Sequence, residues 1–355
     1  MSRISARGLV RSLAPAGAAI ALAFVLTALM AAAFGASPAA AVGALVSGSV
    51  GSSASLAATL LRASPLLLTG LGVMLAFRSG VFNIGAEGQL LVGALAATAV
   101  ATRTGSWPGQ AVFVLAAGAI AGALWAGIAA ALRARREVNE VITTILLNFV
   151  GLYLVSYMVD GPLKEQSGAY PQSDLFPPTA ELWRIVAGTR LHVGLLIGLV
   201  GVFFVHGLLS RTALGLRLRS AGLNPRAARV AGFPVGRDLF LAFALSGALA
   251  GLAGAVEVAG VTGRLYERIS PGYGYTAIAI ALLGGLRASG VLLAAVFFAA
   301  LGTGASAMER TAGVSAVLAV AVQGATLLAV AMIGHLSWTG LQIPEASESE
   351  SADAA

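Results

Sequence analysis

A polar, glycine-rich stretch interrupts the apolar sequence at residues 76–89, where the chain has the sequence AFRSGVFNIGAEGQ. Asn83, Glu87 and Gln89 lie close to apolar runs on both sides, and a carboxylate beside hydrocarbon is costly to keep. Because glycine lets the backbone leave the helix, the stretch predicts a break that faces protein or a water-filled cavity. It is either part of a transport pathway or a capped helix start at the membrane surface. In both interpretations Asn83 is the N-cap, and Glu87 lies near the positive end of the next helix.

A second group of polar side chains lies in the apolar run 138–159. Glu140, Thr144 and Asn148 recur at helical spacing and therefore share one face of the predicted helix. Lipid cannot satisfy such a face, so it contacts either water or other helices. The sequence leaves both a pore lining and hydrogen bonding between helices open.

A short helix is predicted inside the most basic loop of the chain. Asn224 is its N-cap, Pro225 its first helical residue and Gly232 its stop signal. A helix of about two turns is unstable alone in water, so something must pack on it. It either lies on anionic headgroups or docks in a groove of a cytoplasmic protein. The residues assigned to this docking role share the one helix and its two caps: Asn224, Pro225, Arg226, Ala227, Ala228, Arg229 and Gly232.

The composition identifies an integral membrane protein. The chain has 355 residues, of which 58% are hydrophobic and 10% charged, and its mean hydropathy is +0.88. Its 45 glycines, some spaced as in Gly118-x-x-x-Gly122 and Gly247-x-x-x-Gly251, are typical of closely packed membrane helices. The chain has no cysteine, which excludes disulfides and thiolate sites, and its three histidines are far apart, which argues against a metal cluster. The net charge of +7 is better explained by membrane orientation than by nucleic-acid binding.

The predicted fold is an all-α polytopic membrane protein with about ten transmembrane helices and a possible internal repeat. A cytoplasmic N-terminus (residues 1–12) precedes a membrane domain (13–335), and an acidic, disordered cytoplasmic tail (336–355) follows it. The membrane domain contains an external loop (160–190) and a basic cytoplasmic loop (210–237). Residues 36–55 are predicted to be an external connection. The ten predicted spans are 13–34, 56–77, 85–102, 110–132, 138–159, 191–209, 239–261, 275–286, 291–305 and 314–333.

The orientation follows from the cationic side chains, which are about twice as frequent in the predicted cytoplasmic segments as in the external ones. Both termini are therefore predicted to be cytoplasmic. The apolar region 275–305 is broken at residues 287–290 into two pieces, each short for a membrane crossing. They are either two tilted short spans or a discontinuous helix pair.

An energy source is missing from the motifs of this sequence. No phosphate-binding loop of the form G-x-x-x-x-G-K-[ST] is present, and the single lysine, Lys164, falls in the predicted external loop. No catalytic constellation stands out, so the chain is not predicted to be an enzyme. Energy could enter through a separate ATPase docked on the short helix, or by ion coupling through Glu87, Glu140 or Glu257.

Four blocks of the sequence resemble one family. They are PLLLTGLGVMLAFRSGVFNIGAEGQLLVGA, VNEVITTILLNF, GLNPRAARVAGFPV and GYGYTAIAIALLGG. Together they are similar to the permease subunits of bacterial ABC importers for nucleosides and simple sugars, in particular the longer permease of the nucleoside type. The first and third blocks are the most specific.

This resemblance implies a set of partners. They are a second, related permease subunit that makes a heterodimer, an ABC ATPase that grips the cytoplasmic loops, and an extracytoplasmic lipid-anchored protein that delivers the substrate. The ATPase would hold ATP and Mg²⁺, so no cofactor is expected in this chain. The expected location is the bacterial plasma membrane, with membrane lipids around the chain and no nucleic acid bound.

The predicted substrate pathway combines the polar residues above with two aromatic rings that could stack on a nucleobase. Its residues are Asn83, Glu87, Gln89, Asn148, Tyr273 and Tyr275. Two alternatives stay open, an ion-coupled secondary transporter and an ABC permease for branched-chain amino acids.

Overall fold

The computed structural model describes residues 6–33 and 35–313, together with 317, 321, 324 and 325. This part of the chain is helical and connected by loops, and its α-helices are numbered α1 to α12 in chain order. The helices are α1 Ala6–Ala33, α2 Pro38–Val50, α3 Ser53–Arg78, α4 Ala86–Arg103, α5 Gln110–Arg136, α6 Glu140–Asp160, α7 Gly194–Arg211, α8 Ala213–Leu223, α9 Pro225–Val230, α10 Val235–Glu257, α11 Tyr273–Leu283 and α12 Ala288–Ala312. A π-helical turn, Val258–Thr262, extends α10.

Six helices of the described part are long and apolar enough to cross a membrane. They are α3, α5, α6, α7, α10 with its π-helical turn, and α12. Five of them confirm the spans predicted at 56–77, 110–132, 138–159, 191–209 and 239–261. The helix predicted at 85–102 is present as α4 but is not among the six, and its first turn carries Glu87 and Gln89. The predicted last span and the acidic tail lie almost wholly outside the described residues.

Residues 36–55 were predicted to be an external connection, and the structure shows a helix in this segment. Most of this segment forms α2, which begins at the N-cap Ser37 with Pro38 in the first helical position. Its small residues allow close packing on α12, since a Cβ on Gly48 of α2 would collide with the side chain of Ala307 and lie 3.4 Å from the Cα of Gly304. The composition resembles a loop, but the packing partner stabilises a helix.

The broken region 275–305 contains two helices of unequal length, separated by residues 284–287. Its first piece, α11, has 11 residues and a length of about 16 Å, roughly half of the hydrocarbon thickness. Its second piece, α12, has 25 residues and is a full-length span. The predicted end of this second piece at residue 305 is too early, because α12 continues through further small and polar residues to Ala312. Those residues pack on α2 and α3 instead of ending the helix.

Helix α3 is at the centre of the molecule. It is apolar on all sides, and it packs against α2, α7, α10, α11 and α12. Its residues from Ala63 to Ala76 are all buried. Such a helix is a fixed support for the polar break that follows it at Ser79.

Glycines bring α4, α5 and α10 into backbone contact beside this core. A Cβ on Gly122 of α5 would lie 2.7 Å from the Cα of Gly251 on α10, and it would also collide with the Gly247 carbonyl. Gly93 of α4 meets the same Gly251 backbone. Small residues let membrane helices pack this closely, as the glycine spacing of α5 and α10 predicted.

The segment between α6 and α7 folds back onto the end of α10. The Ser173 N–H donates to the Leu265 carbonyl at 2.8 Å, and the Leu182 N–H donates to the Ala259 carbonyl at 2.9 Å. His192 is buried in this layer, and burial, with a smaller effect from the Arg190 charge, lowers the pKa of His192 to about 4. The imidazole is therefore neutral at pH 7, with its Nδ1 accepting from the Gly194 N–H at 3.0 Å.

Candidate functional site

The polar break between α3 and α4 begins with a tight turn. Helix α3 ends at Arg78, and Gly80 adopts the left-handed conformation with φ of +74°. The Val81 N–H then donates to the Ala76 carbonyl at 3.0 Å, which closes the helix end. Glycine is needed at residue 80 because left-handed backbone strains most other residues.

Asn83 is not the N-cap of α4, contrary to the sequence prediction. That position belongs to Gly85, which has no side-chain cap. The Asn83 Oδ1 atom accepts from the Gly85 N–H at 3.0 Å and from Gln89 Nε2 at 2.9 Å. Its Nδ2 atom donates to Gln89 Oε1 and to Ser246 Oγ, both at 2.9 Å. Asn83 therefore ties the break to α10, and all its polar atoms are satisfied.

Asn148 of α6 holds the other side of the break. Its Oδ1 atom accepts from the Gly88 N–H at 2.8 Å, and its Nδ2 atom donates to the Ile84 carbonyl at 2.9 Å. Nδ2 also lies 3.4 Å from the hydroxyl of Tyr275. One turn earlier, Thr144 Oγ1 accepts from the Ile84 N–H at 3.3 Å. The polar face of α6 thus makes hydrogen bonds to the chain between α3 and α4 and to the first turn of α4. Hydrogen bonding to neighbouring segments was one of the two interpretations of this face.

Glu87, in the first turn of α4 as predicted, contacts the start of α11. Its Oε2 atom accepts from the Gly274 N–H at 2.6 Å, and the Ser270 hydroxyl lies beside the same carboxylate. A Cβ at residue 274 would collide with the Glu87 backbone, so only glycine permits this approach. The Glu87 residue is 7% exposed. Residues 263–272 therefore lead from the C-terminal end of α10 and its π-helical turn to a buried carboxylate between helices.

A cavity of about 310 Å³ opens beside Glu87, between α4, α6 and the segment 267–275. Three of the six predicted pathway residues line this cavity: Glu87, Asn148 and Tyr275. The other three, Asn83, Gln89 and Tyr273, are buried behind its wall. The full lining is Glu87, Leu91, Asn148, Phe149, Leu152, Glu267, Arg268, Ser270, Gly272 and Tyr275.

Sequence reasoning missed Phe149, Glu267, Arg268 and Ser270 as lining residues. In the predicted fold, residues 262–274 are a connection between the spans 239–261 and 275–286. The available signal was the glycine pair at residues 272 and 274, which allows the chain to approach another backbone closely.

The two other carboxylates considered for ion coupling lie apart from this cavity. Glu140 forms an ion pair with Arg133, with 2.8 Å between Oε1 and Nη1. Glu257 is buried at the end of α10, where the charges of Arg62 and Arg190 act on it.

The short basic helix is present as α9. The Asn224 Oδ1 atom accepts from the N–H groups of Arg226 and Ala227, both at 3.0 Å, and Pro225 is the first helical residue. Gly232 follows the helix with φ of +80°, as a stop signal requires. These features confirm the local prediction.

The surface of α9 has two different sides. Ala228 is buried against Ala221 and Val235. Arg226 and Arg229 are exposed on the opposite side. Two apolar side chains at the ends, Leu223 and Val230, are 89% and 90% exposed. Exposed apolar groups beside cations are typical of a surface that binds another protein.

Replacing Asn148 by leucine is expected to destabilise the protein. Leucine has a similar volume but leaves the Gly88 N–H and the Ile84 carbonyl without their partner, at a cost of about 1–3 kcal/mol for each buried group. We expect a clearly lower melting temperature in detergent, measured by the dye-free thermal shift of the tryptophans. The exposed neighbour Tyr153→Leu on the same helix is the control. Equal melting temperatures for all three proteins would contradict the role of Asn148.

Several known proteins similar to this chain are transport permeases. A family described as "Branched-chain amino acid transport system / permease component" matches residues 55–331. A glucose ABC transporter permease, TsgB13 of Haloferax volcanii, is 44% identical over 77% of this chain and 75% of its own. The guanosine permease NupP of Bacillus subtilis is 38% identical over 72% of this chain and 75% of its own. The nucleoside permease NupB of Lactococcus lactis is 31% identical over 82% and 83%. No solved structure matches the chain.

The matched region contains both groups of residues described above, the cavity beside Glu87 and the helix α9. With six helices able to cross a membrane, the chain is a multi-pass protein of the plasma membrane. It belongs to the family of permease components of branched-chain amino acid type transport systems, in which it is an ABC transporter permease subunit.

Proposed function

We propose that this permease carries a nucleoside, or a related simple sugar, through the cavity beside Glu87. The observation that carries the proposal is a buried carboxylate at the edge of a cavity between membrane helices. Ionisable residues inside membrane domains are expensive, and their usual place is a substrate or ion pathway. The cavity volume of about 310 Å³ lies within the range of small-molecule sites.

The lining suits a ligand that has hydroxyl groups and a planar ring. The carboxylates of Glu87 and Glu267 are acceptors for sugar hydroxyls. Phe149 and Tyr275 offer ring faces on which a nucleobase can stack. The names of the relatives, which are permeases for glucose, guanosine and nucleosides, support the same substrate class.

Family membership implies an ATPase partner and a substrate-binding protein, which agrees with a role that is not enzymatic. In our proposal the ATPase holds ATP and Mg²⁺ and docks on α9, through Arg226 and Arg229 and the exposed apolar residues at its ends. A second, related permease subunit completes a heterodimer, and a lipid-anchored extracytoplasmic protein delivers the substrate.

We propose ten spans with both termini in the cytoplasm. The basic ends of α5 and α7 and the whole of α8 and α9 lie at one side of the helices, which supports a cytoplasmic side there. In this orientation the cavity lies inside the membrane and not at its surface. Asn148, which lines the cavity, is eight residues from the proposed cytoplasmic end of α6, about 12 Å along the helix axis.

Branched-chain amino acids are the second candidate substrate. The description of the family names them. Glu267 and Arg268 are neighbours on the cavity wall and could hold the ammonium and carboxylate groups of an amino acid.

The experiment is a purification of the chain from its native membranes, followed by reconstitution of the complete complex. We expect an ATPase to co-purify, and we expect ATP-dependent uptake of radiolabelled guanosine that excess unlabelled guanosine abolishes. Competition by glucose would indicate a sugar site, and competition by leucine an amino-acid site. Accumulation of guanosine by the chain alone, under a proton or sodium gradient and without nucleotide, would overturn the proposal in favour of ion coupling.

A further inference from the structure

Helix α8 connects the short helix α9 to the polar break beside the cavity. The sequence prediction treated residues 213–223 as loop, and the structure shows a helix of 11 residues. Asn224 is the only residue between α8 and α9. Its N–H donates to the Ser220 carbonyl at 3.0 Å, while its side chain caps α9. Asn224 is hydrogen-bonded to both helices, and Ala221 of α8 packs on Ala228 of α9, so a tilt of α9 is expected to move the end of α8.

The end of α8 packs directly on the turn that opens the break. A Cβ on Gly222 would lie 2.9 Å from the Gly80 nitrogen and would collide with the carbonyl oxygen of Arg78. In the other direction, a Cβ on Gly80 would lie 2.9 Å from the Cα of Gly222. The two segments therefore meet backbone to backbone, with no side chain between them to deform.

Two further contacts fix α8 against the membrane helices. Arg217 donates through Nη2 to Asp238 Oδ1 of α10 at 2.8 Å, and the Asp238 carboxylate is fully buried. Ala221, Ala228 and Val235 form a small apolar cluster that joins α8, α9 and α10. Helix α8 is thus held on one side while its C-terminal end contacts the break.

Side-chain hydrogen bonds join the break to the helices around the cavity. Asn83 ties it to α10 and Asn148 ties it to α6. Glu87, in the first turn of α4 directly after the break, accepts a hydrogen bond from Gly274 of α11. A shift of the Gly80 turn must therefore be passed on to Asn148 and Glu87, which line the cavity.

We infer that the contact between Gly222 and Gly80 is the positioning contact by which movement of α9 reaches the substrate cavity. The inference rests on the proposed function, and it assigns to Gly222 a role that none of the predicted coupling residues has. Coupling between distant sites travels through packed elements, and this contact joins α8 directly to the break.

The variant Gly222→Ala tests the inference in the complete reconstituted complex. We expect the ATPase to co-purify as with the unaltered chain, because the exposed surface of α9 is unchanged. Basal ATP hydrolysis should stay within about twofold, whereas stimulation of hydrolysis by guanosine and its binding protein should be lost. Guanosine uptake should fall at least about tenfold. The control is Gly236→Ala, near the start of α10, where a Cβ meets no atom within 4 Å.

Normal stimulation and uptake in Gly222→Ala would overturn the inference, while absent uptake by the unaltered complex would instead overturn the proposed function. If the alanine variant does not assemble, hydrogen exchange in the unaltered complex decides. ATP should change the exchange of amides 224–232 and of amides 79–89 together. A change confined to residues 224–232 would show that the contact transmits nothing.

Discussion

Replacing Glu87 by alanine is expected to reduce guanosine uptake at least about tenfold while the protein still reaches the membrane. The carboxylate accepts a hydrogen bond from the Gly274 N–H at 2.6 Å and so holds the start of α11 to α4 through a side chain. A hydrogen bond to a charged group contributes about 1.5–3 kcal/mol, which corresponds to a tenfold to hundredfold effect on an equilibrium. Radiolabelled uptake into cells, normalised to the amount of permease in the membrane, is the measurement.

The variant Glu87→Gln separates the contact from the charge. Glutamine keeps an acceptor for the Gly274 N–H but carries no charge. If the carboxylate only fixes α11, Glu87→Gln should transport normally, and if it binds substrate hydroxyls, uptake should fall in both variants. The control is Glu137→Gln, an exposed carboxylate in the turn between α5 and α6. Normal uptake in Glu87→Ala would remove Glu87 from the pathway.

The features that the sequence predicted correctly are those that depend on neighbouring residues. Helix α9 is determined by Asn224, Pro225 and Gly232, which act within a few residues of one another, so its bounds follow from capping rules. The long spans were likewise recognisable, because a run of about 20 apolar residues matches the thickness of the hydrocarbon layer.

The features that the sequence could not predict depend on distant partners. The sequence indicated that Asn83 was polar and near a helix start, and the N-cap was the natural role for it. Its actual partner, Ser246, is 163 residues away. The same is true of Glu87 and Gly274, which are 187 residues apart. Cavity residues such as Glu267 are brought together only by such contacts. Three of the six predicted pathway residues line the cavity, and the other three are buried outside its lining.

Short helices were missed for a related reason. Helices α2 and α8 are rich in alanine, glycine, serine or arginine, and neither has a long apolar run. Each is stabilised by a partner that the local sequence does not reveal. For α2 this partner is α12, and for α8 it is the carboxylate of Asp238 on α10. Helix propensity is weak compared with such packing.

Reversing the two charges of α9, in the double variant Arg226→Glu and Arg229→Glu, is expected to abolish ATP-driven uptake. Both side chains are exposed on the side of α9 that faces away from the protein, between the exposed Leu223 and Val230. If this surface binds the ATPase, the two new carboxylates face the groups of the ATPase that bound the arginines. Like charges brought together across an interface cost several kcal/mol. We expect at least about a hundredfold loss of uptake, and loss of the ATPase from the purified complex.

The matched control reverses two other exposed cations at the same side of the membrane, Arg135 and Arg136 at the end of α5. If α9 only lies on anionic headgroups, both double variants should weaken association with anionic vesicles to a similar extent, and the ATPase should co-purify with both. If α9 is the docking helix, the α5 variant should retain the ATPase and uptake while the α9 variant loses both. Since Asn224 and the buried Ala228 are unchanged, the helix itself should persist, and hydrogen exchange of amides 228–231 in the purified chain checks this. Retention of the ATPase together with normal uptake in the α9 variant would contradict the docking role.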